Sequence, residues 1–214
     1  MLAITATLAG QGFATIAIDH PLHGERGFGP INASSRATAT VYMNLSNLLV
    51  TRDNLRQSIA DILAVRIGLH ATNLPGLLNR NDVQFLGLSL GSITGASAVA
   101  LANTPLGRDS LDPLFRMSSA ALSVPGGAVA NFLMESVAFG DTIKANVLIG
   151  AGGTTAESYT NFATTQNGCG GSNASPYPSC FKPFIQYLNS IDRAADVAAI
   201  NAALAQFVFA AQTV

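Results

Sequence analysis

Apolar and polar positions follow two rhythms along this chain, one of helical period and one of short apolar runs. Residues 2–10, LAITATLAG, are rich in Ala and Leu and read as an amphipathic helix ended by the Gly10-Gln11-Gly12 break. The next run, FATIAID over 13–19, is short, apolar and β-type, with glycine on one side and a His-Pro turn on the other, which predicts a strand. A long polar connection, HPLHGERGFGPINASSRATAT, covers 20–40. Beyond it Leu55, Ile59, Ile62, Leu63 and Arg66 recur at helical spacing, with Thr51 or Asp53 available as the cap. VQFLGLS at 83–89 reads as a second strand that turns tightly into a helix over LGSITGASAVALAN. SAALSVPGG at 119–127 reads as a third, closed by a Pro-Gly-Gly turn.

Strands that alternate with helices predict parallel βαβ units with helices on both faces of a sheet, the α/β class. From Val129 onward the pattern turns helical, in AVANFLMESVAF and in AADVAAINAALAQFVFAAQTV, around a Gly/Thr/Ser/Asn-rich stretch over 150–180. The expected organisation is an α/β core over 1–129 and a mostly helical cap or insertion over 130–214. No repeat of 20–50 residues is visible in the sequence.

Composition narrows the partners. Lys and Arg total 11 against 12 for Asp and Glu, without a long run of one sign, so neither a nucleic-acid footprint nor a polybasic membrane patch is expected. Charged residues make up 11% and mean hydropathy is +0.35. No uninterrupted apolar run reaches the roughly 18 residues of a membrane span, so a soluble, apolar-rich chain is expected. The opening MLAITATLAGQGF has no basic segment and no cleavage site, and no signal peptide is read there. The two cysteines, Cys169 and Cys180, lie in NGCGGSNASPYPSC, whose spacing excludes a CxxC redox motif and offers no histidine for zinc. A local disulfide is expected, with two free thiols as the alternative. No metal and no cofactor are expected.

The strongest chemical signal is Gly87-Leu88-Ser89-Leu90-Gly91, a G-x-S-x-G sequence with an apolar strand before it and a small-residue helix after it. In that setting the serine takes a strained strand-to-helix conformation that lifts its hydroxyl above the sheet, and Gly87 and Gly91 are expected to be required because a Cβ at either would clash. The same turn aims the Leu90 amide and the helix N-terminus at the reacting centre, where they stabilise an oxyanion. Chance occurrence of the pattern at a strand-turn-helix joint is the competing account. In IAIDHPLHGERG at 16–27, Asp19 closes a strand and His23-Gly24 makes a turn; both side chains are expected to bond loop backbone, direct catalysis being the lesser alternative.

Together IDHPLHGERGF, YMNLSNLLVTRDNLRQSIADIL, FLGLSLGSITG and SVPGGAVANFLMES resemble the bacterial extracellular lipase family that includes surface-exposed lysophospholipases of marine gamma-proteobacteria. The resemblance spans nearly the whole chain and is looser in the helical tail. It implies an α/β-hydrolase fold, hydrolysis of carboxylic esters of lipids, no metal, an extracellular or cell-surface location and peripheral contact with membrane lipid. The nucleophile carries over to Ser89 and the first oxyanion amide to Leu90. The triad order in that fold is Ser, then Asp or Glu, then His, yet the histidines here are His20, His23 and His70, all upstream of Ser89. The acids downstream, Asp109, Asp112, Glu135, Asp141, Glu157, Asp192 and Asp196, have no motif marking a triad member, and surface or capping roles are expected for them.

Three readings follow. In the first, these residues are an internal part of a serine esterase or lipase whose acid, base and second oxyanion loop lie outside them. In the second, His23 or His20 reaches Ser89 in a rearranged dyad, although the usual strand order places a strand between them. In the third, the chain is a non-catalytic domain that binds apolar ligands.

Overall fold

The computed structural model describes residues 2–44, 47–73, 76, 78–137, 139–165 and 177–213. The chain divides into two compact units, Met1–Met43 with Val50–Pro125, and Asn44–Leu49 with Gly126–Val214. Cys169 lies outside the described residues, and the disulfide expectation with it.

The first unit is α/β. It opens on α1 (Leu2–Gly10), continues through α2 (Leu48–Ala71), which belongs to this unit from Val50 onward, and then runs β1 (Gln84–Leu88), α3 (Leu90–Ala102), α4 (Asp112–Phe115) and β2 (Ser119–Ser123). The two strands pair in parallel, Gln84 opposite Ser119 through Leu88 opposite Ser123, with α3 as the crossover. The βαβ unit expected over 83–127 is therefore present, and α3 packs on both strands.

Three expectations for this unit are corrected. Residues 13–19 form no strand: the only sheet among the described residues is β1 with β2, and all seven side chains of that segment are exposed. An apolar run becomes a strand only when a neighbouring strand takes its backbone groups. Helix α2 starts at Leu48 rather than at Thr51 or Asp53, because Leu48, Leu49 and Val50 prolong the helix by a turn. Thr51 lies buried within it and Asp53 pairs with Arg52 at 2.7 Å. Its fully buried side chains are the polar Thr51, Ser58 and Arg66, with Leu55, Ile59, Ile62 and Leu63 only half-buried. Finally, α1 buries no face, since every described side chain of it is exposed or half-exposed.

The second unit is helical: α5 (Val129–Glu135), α6 (Gly140–Ala151), α7 (Gly153–Thr165), α8 (Phe181–Ser190) and α9 (Ala194–Thr213). Helix α7 falls inside the Gly/Thr/Ser/Asn-rich stretch over 150–180. Its Gly and Thr content lowers helix propensity, but Ala156, Tyr159, Phe162 and Ala163 recur at helical spacing, and Ala156 and Tyr159 are buried. Met134, Ile143, Leu148, Tyr159, Phe181, Phe184, Leu188, Ile200 and Leu204 belong to one apolar cluster, with the Tyr159 and Phe184 rings edge to face at 5.3 Å. Over Ala194–Gln212, α9 is long and apolar enough to cross a membrane by length and composition. Within this unit its Ile200 and Leu204 sit in the apolar cluster. Three of the acids that follow Ser89 form ion pairs here: Glu135 with Lys144 at 3.4 Å, Asp141 with Lys182 at 3.1 Å, and Asp196 with Arg193.

Candidate active site

Ser89 stands between the last residue of β1 and the first of α3, with φ 51° and ψ −117°. Positive φ is uncommon for a residue with a Cβ, and this ψ lies far from the left-handed helical well near +47°. A conformation of this kind costs about 1–3 kcal/mol and persists only where its surroundings impose it. The surroundings are specific. The Ser89 amide donates to the Ser123 carbonyl at 3.0 Å, extending the parallel ladder by one bond. The Ser92 hydroxyl, fully buried, donates to the same carbonyl at 2.7 Å. The Ser89 carbonyl accepts from the amides of Ser92 at 2.8 Å and Ile93 at 3.1 Å, which starts the helix at once. The elbow is thus fastened on both sides to the end of β2.

Gly87 is needed for the turn to close. A Cβ there would lie 2.6 Å from the Gly91 carbonyl oxygen and 2.9 Å from Cε1 of Phe85. Gly91 is different, and the expectation of a clash there is corrected: a Cβ on it meets nothing within 4 Å. The crowding runs from Gly87 onto the Gly91 backbone, not outward from Gly91. A third glycine, unremarked in the sequence, does have a packing role. A Cβ on Gly95 would run into the Phe85 ring, so Gly95 lets α3 lie close over β1. Its spacing of four from Gly91, on one helix face, is the signal that could have found it.

The hydroxyl of Ser89 is exposed, does not cap its own helix, and has no hydrogen-bond partner among the described residues. The amides of Leu90 and Gly91, at the first two positions of α3, likewise meet no acceptor among the described residues. An exposed hydroxyl beside two open amides at a helix N-terminus is chemically an acceptor site for developing negative charge. Ser92 and Ser123 complete this arrangement, and no motif or spacing in the sequence marks either.

The histidines have other partners. His23 Nδ1 is 3.0 Å from the Pro21 carbonyl, and its ring meets Tyr42 edge to face at 5.1 Å. His20 packs on the same Tyr42 ring at 5.7 Å, and burial, followed by the neighbouring His23, lowers its pKa below the usual 6.5. Tyr42 is itself buried, with its hydroxyl 2.6 Å from that of Ser58 on α2. His70 Nε2 accepts from Arg66 Nη1 at 2.9 Å, while Arg66 Nε donates to the Arg116 carbonyl at 2.8 Å. No hydrogen bond joins any of these three rings to Ser89 among the described residues. The Asp19 carboxylate lies against the Cα of Gly24, where a Cβ would overlap it, and the Asp19 carbonyl accepts from Arg26 at 2.8 Å. Arg26 also pairs with Asp61 of α2 at 2.6 Å, so the 20–35 loop is pinned to that helix. His23 thus bonds loop backbone through its ring, whereas Asp19 does so only through its main-chain carbonyl, and neither is hydrogen-bonded to Ser89 among the described residues.

No family model, no curated protein and no solved structure matches this chain.

Proposed function

We propose that Ser89 is the nucleophile of a serine carboxylic-ester hydrolase acting on lipid esters, with the Leu90 amide as an oxyanion donor. The observation that carries this reading is the strained backbone of Ser89, whose hydroxyl bonds none of the described residues at the head of α3. Strain without a stabilising hydroxyl bond is a cost to folding that attack on a carbonyl would explain. In the reaction, Ser89 Oγ adds to the ester carbonyl and the Leu90 amide meets the oxyanion of the tetrahedral adduct. The C–O bond to the alcohol breaks with the serine proton passing to the alcohol, and water then releases the acid from the acyl-serine that remains. The lipid assignment, like an extracellular or cell-surface setting and an α/β-hydrolase parent fold, rests on the motif resemblance. The exposed apolar Leu88 directly before Ser89 suits an acyl substrate.

The step needs a base, and none of the three histidines is hydrogen-bonded to Ser89 among the described residues. Losing a triad member leaves only a small part of the rate. The 214-residue chain is therefore expected to hydrolyse p-nitrophenyl esters barely above background, while a fluorophosphonate labels Ser89 slowly and stoichiometrically, as read by intact mass. Robust turnover that Ser89→Ala abolishes would refute the absence of a base, and labelling that persists in Ser89→Ala would refute the nucleophile. The missing base also favours a second reading, a domain that binds apolar ligands without chemistry. Tight binding of a fatty acid with no covalent labelling would select it.

A further inference from the structure

A second residue of positive φ stands beside Ser89, one residue past its ladder partner Ser123. Val124 follows β2 directly and has φ 54°. It is β-branched, for which positive φ is a genuine outlier, and it precedes Pro125, which pushes a residue toward extended backbone. Strain of this kind gathers at ligand-contacting positions. Burial gives no other reason for it, because Val124 is 71% exposed. Its position is informative. The carbonyl of the Ser123–Val124 peptide is the one that receives both the Ser89 amide and the Ser92 hydroxyl, so Val124 is the first residue past the bond that fastens the elbow. On the paired strand Leu88, in register with Ser123 and 62% exposed, comes immediately before Ser89. Neither LGLSL at 86–90 nor SAALSVPGG at 119–127 contains a charged residue.

We infer that Val124 is a specificity-determining residue, which with Leu88 offers an apolar wall at the elbow for the acyl chain of the ester. The site would then favour medium and long acyl groups over acetyl, since each methylene placed on such a wall leaves water. This inference rests on Ser89 being the nucleophile, and the experiment separates the two.

The 214-residue chain is treated with ethyl and octyl fluorophosphonates below the octyl probe's critical micelle concentration, and the rate of Ser89 adduct formation is followed by intact mass. Oγ attacks phosphorus, the P–F bond breaks, fluoride leaves and the hydroxyl proton passes to water. The octyl probe is expected to react about tenfold faster than the ethyl probe. Val124→Gly, which takes positive φ without strain, and Val124→Thr, which keeps the shape but adds a hydroxyl, should each lower that ratio about threefold or more. An unchanged ratio in both variants, or an equal fall for both probes, would mean that Val124 is structural only and would overturn the inference. Absence of any adduct at Ser89 would overturn the nucleophile reading and this inference with it.

Discussion

Replacing Ser89 by glycine and by alanine separates a strained elbow from an ordinary helix cap. At an ordinary N-cap the serine oxygen accepts an amide bond, so Ser→Ala costs about 1 kcal/mol and Ser→Gly a few tenths. Here the hydroxyl makes no capping bond, and φ 51° with ψ −117° is unfavourable for any residue with a Cβ. Alanine keeps the strain and loses no bond, so Ser89→Ala should match the parent within about 0.5 kcal/mol. Glycine relieves about 1–3 kcal/mol of strain but brings about 0.5–1 kcal/mol of extra unfolded-chain entropy. Ser89→Gly should therefore be more stable than the parent by roughly 1 kcal/mol. Native-state hydrogen exchange at the α3 amides reads this locally, in the unit that contains the substitution. The reasoning fails if Ser89→Ala loses about 1 kcal/mol and Ser89→Gly falls between it and the parent, the order of an unstrained cap.

Two further outcomes follow from the same geometry. Gly87→Ala would place a Cβ 2.6 Å from the Gly91 carbonyl and should cost about 1–3 kcal/mol in urea unfolding. Gly91→Ala meets open space inside a helix and should be neutral or stabilising by up to about 1 kcal/mol; equal losses at the two glycines would contradict the packing described. Acid should weaken the first unit through His70, whose pKa is lowered by burial first and then by Arg66 and Arg80. Neutral Nε2 accepts the Arg66 bond, so the stability it contributes is complete above the unfolded value near 6.5 and is lost as pH falls below that. Urea midpoints at pH 7.5, 6.5 and 5.5 should fall less in His70→Gln, which can still accept from Arg66; identical pH profiles would exclude this contribution.

The sequence by itself determined what is local. The order strand, serine turn, helix over 83–102 is a matter of apolar patterning and of G-x-S-x-G, and the need for Gly87 arises from a backbone only four residues away. Helix α2 was legible in its spacing, and the parallel pairing of β1 with β2 in the alternation of strand and helix. Tertiary structure decided everything that depends on a distant partner. Residues 13–19 carry a strand's pattern and form none, because the pattern cannot supply the neighbour that a ladder requires. The bond from Ser92 to Ser123 spans 31 residues, and no spacing rule announces it. The polar buried face of α2 exists because Tyr42 and the Arg116 carbonyl come to meet Ser58 and Arg66. Likewise His20 and His23 sit on the Tyr42 ring and His70 on Arg66, which no reading of three isolated histidines could assign. Periodicity reports what a segment can bury; which groups it then meets is set by how the segments come together in space.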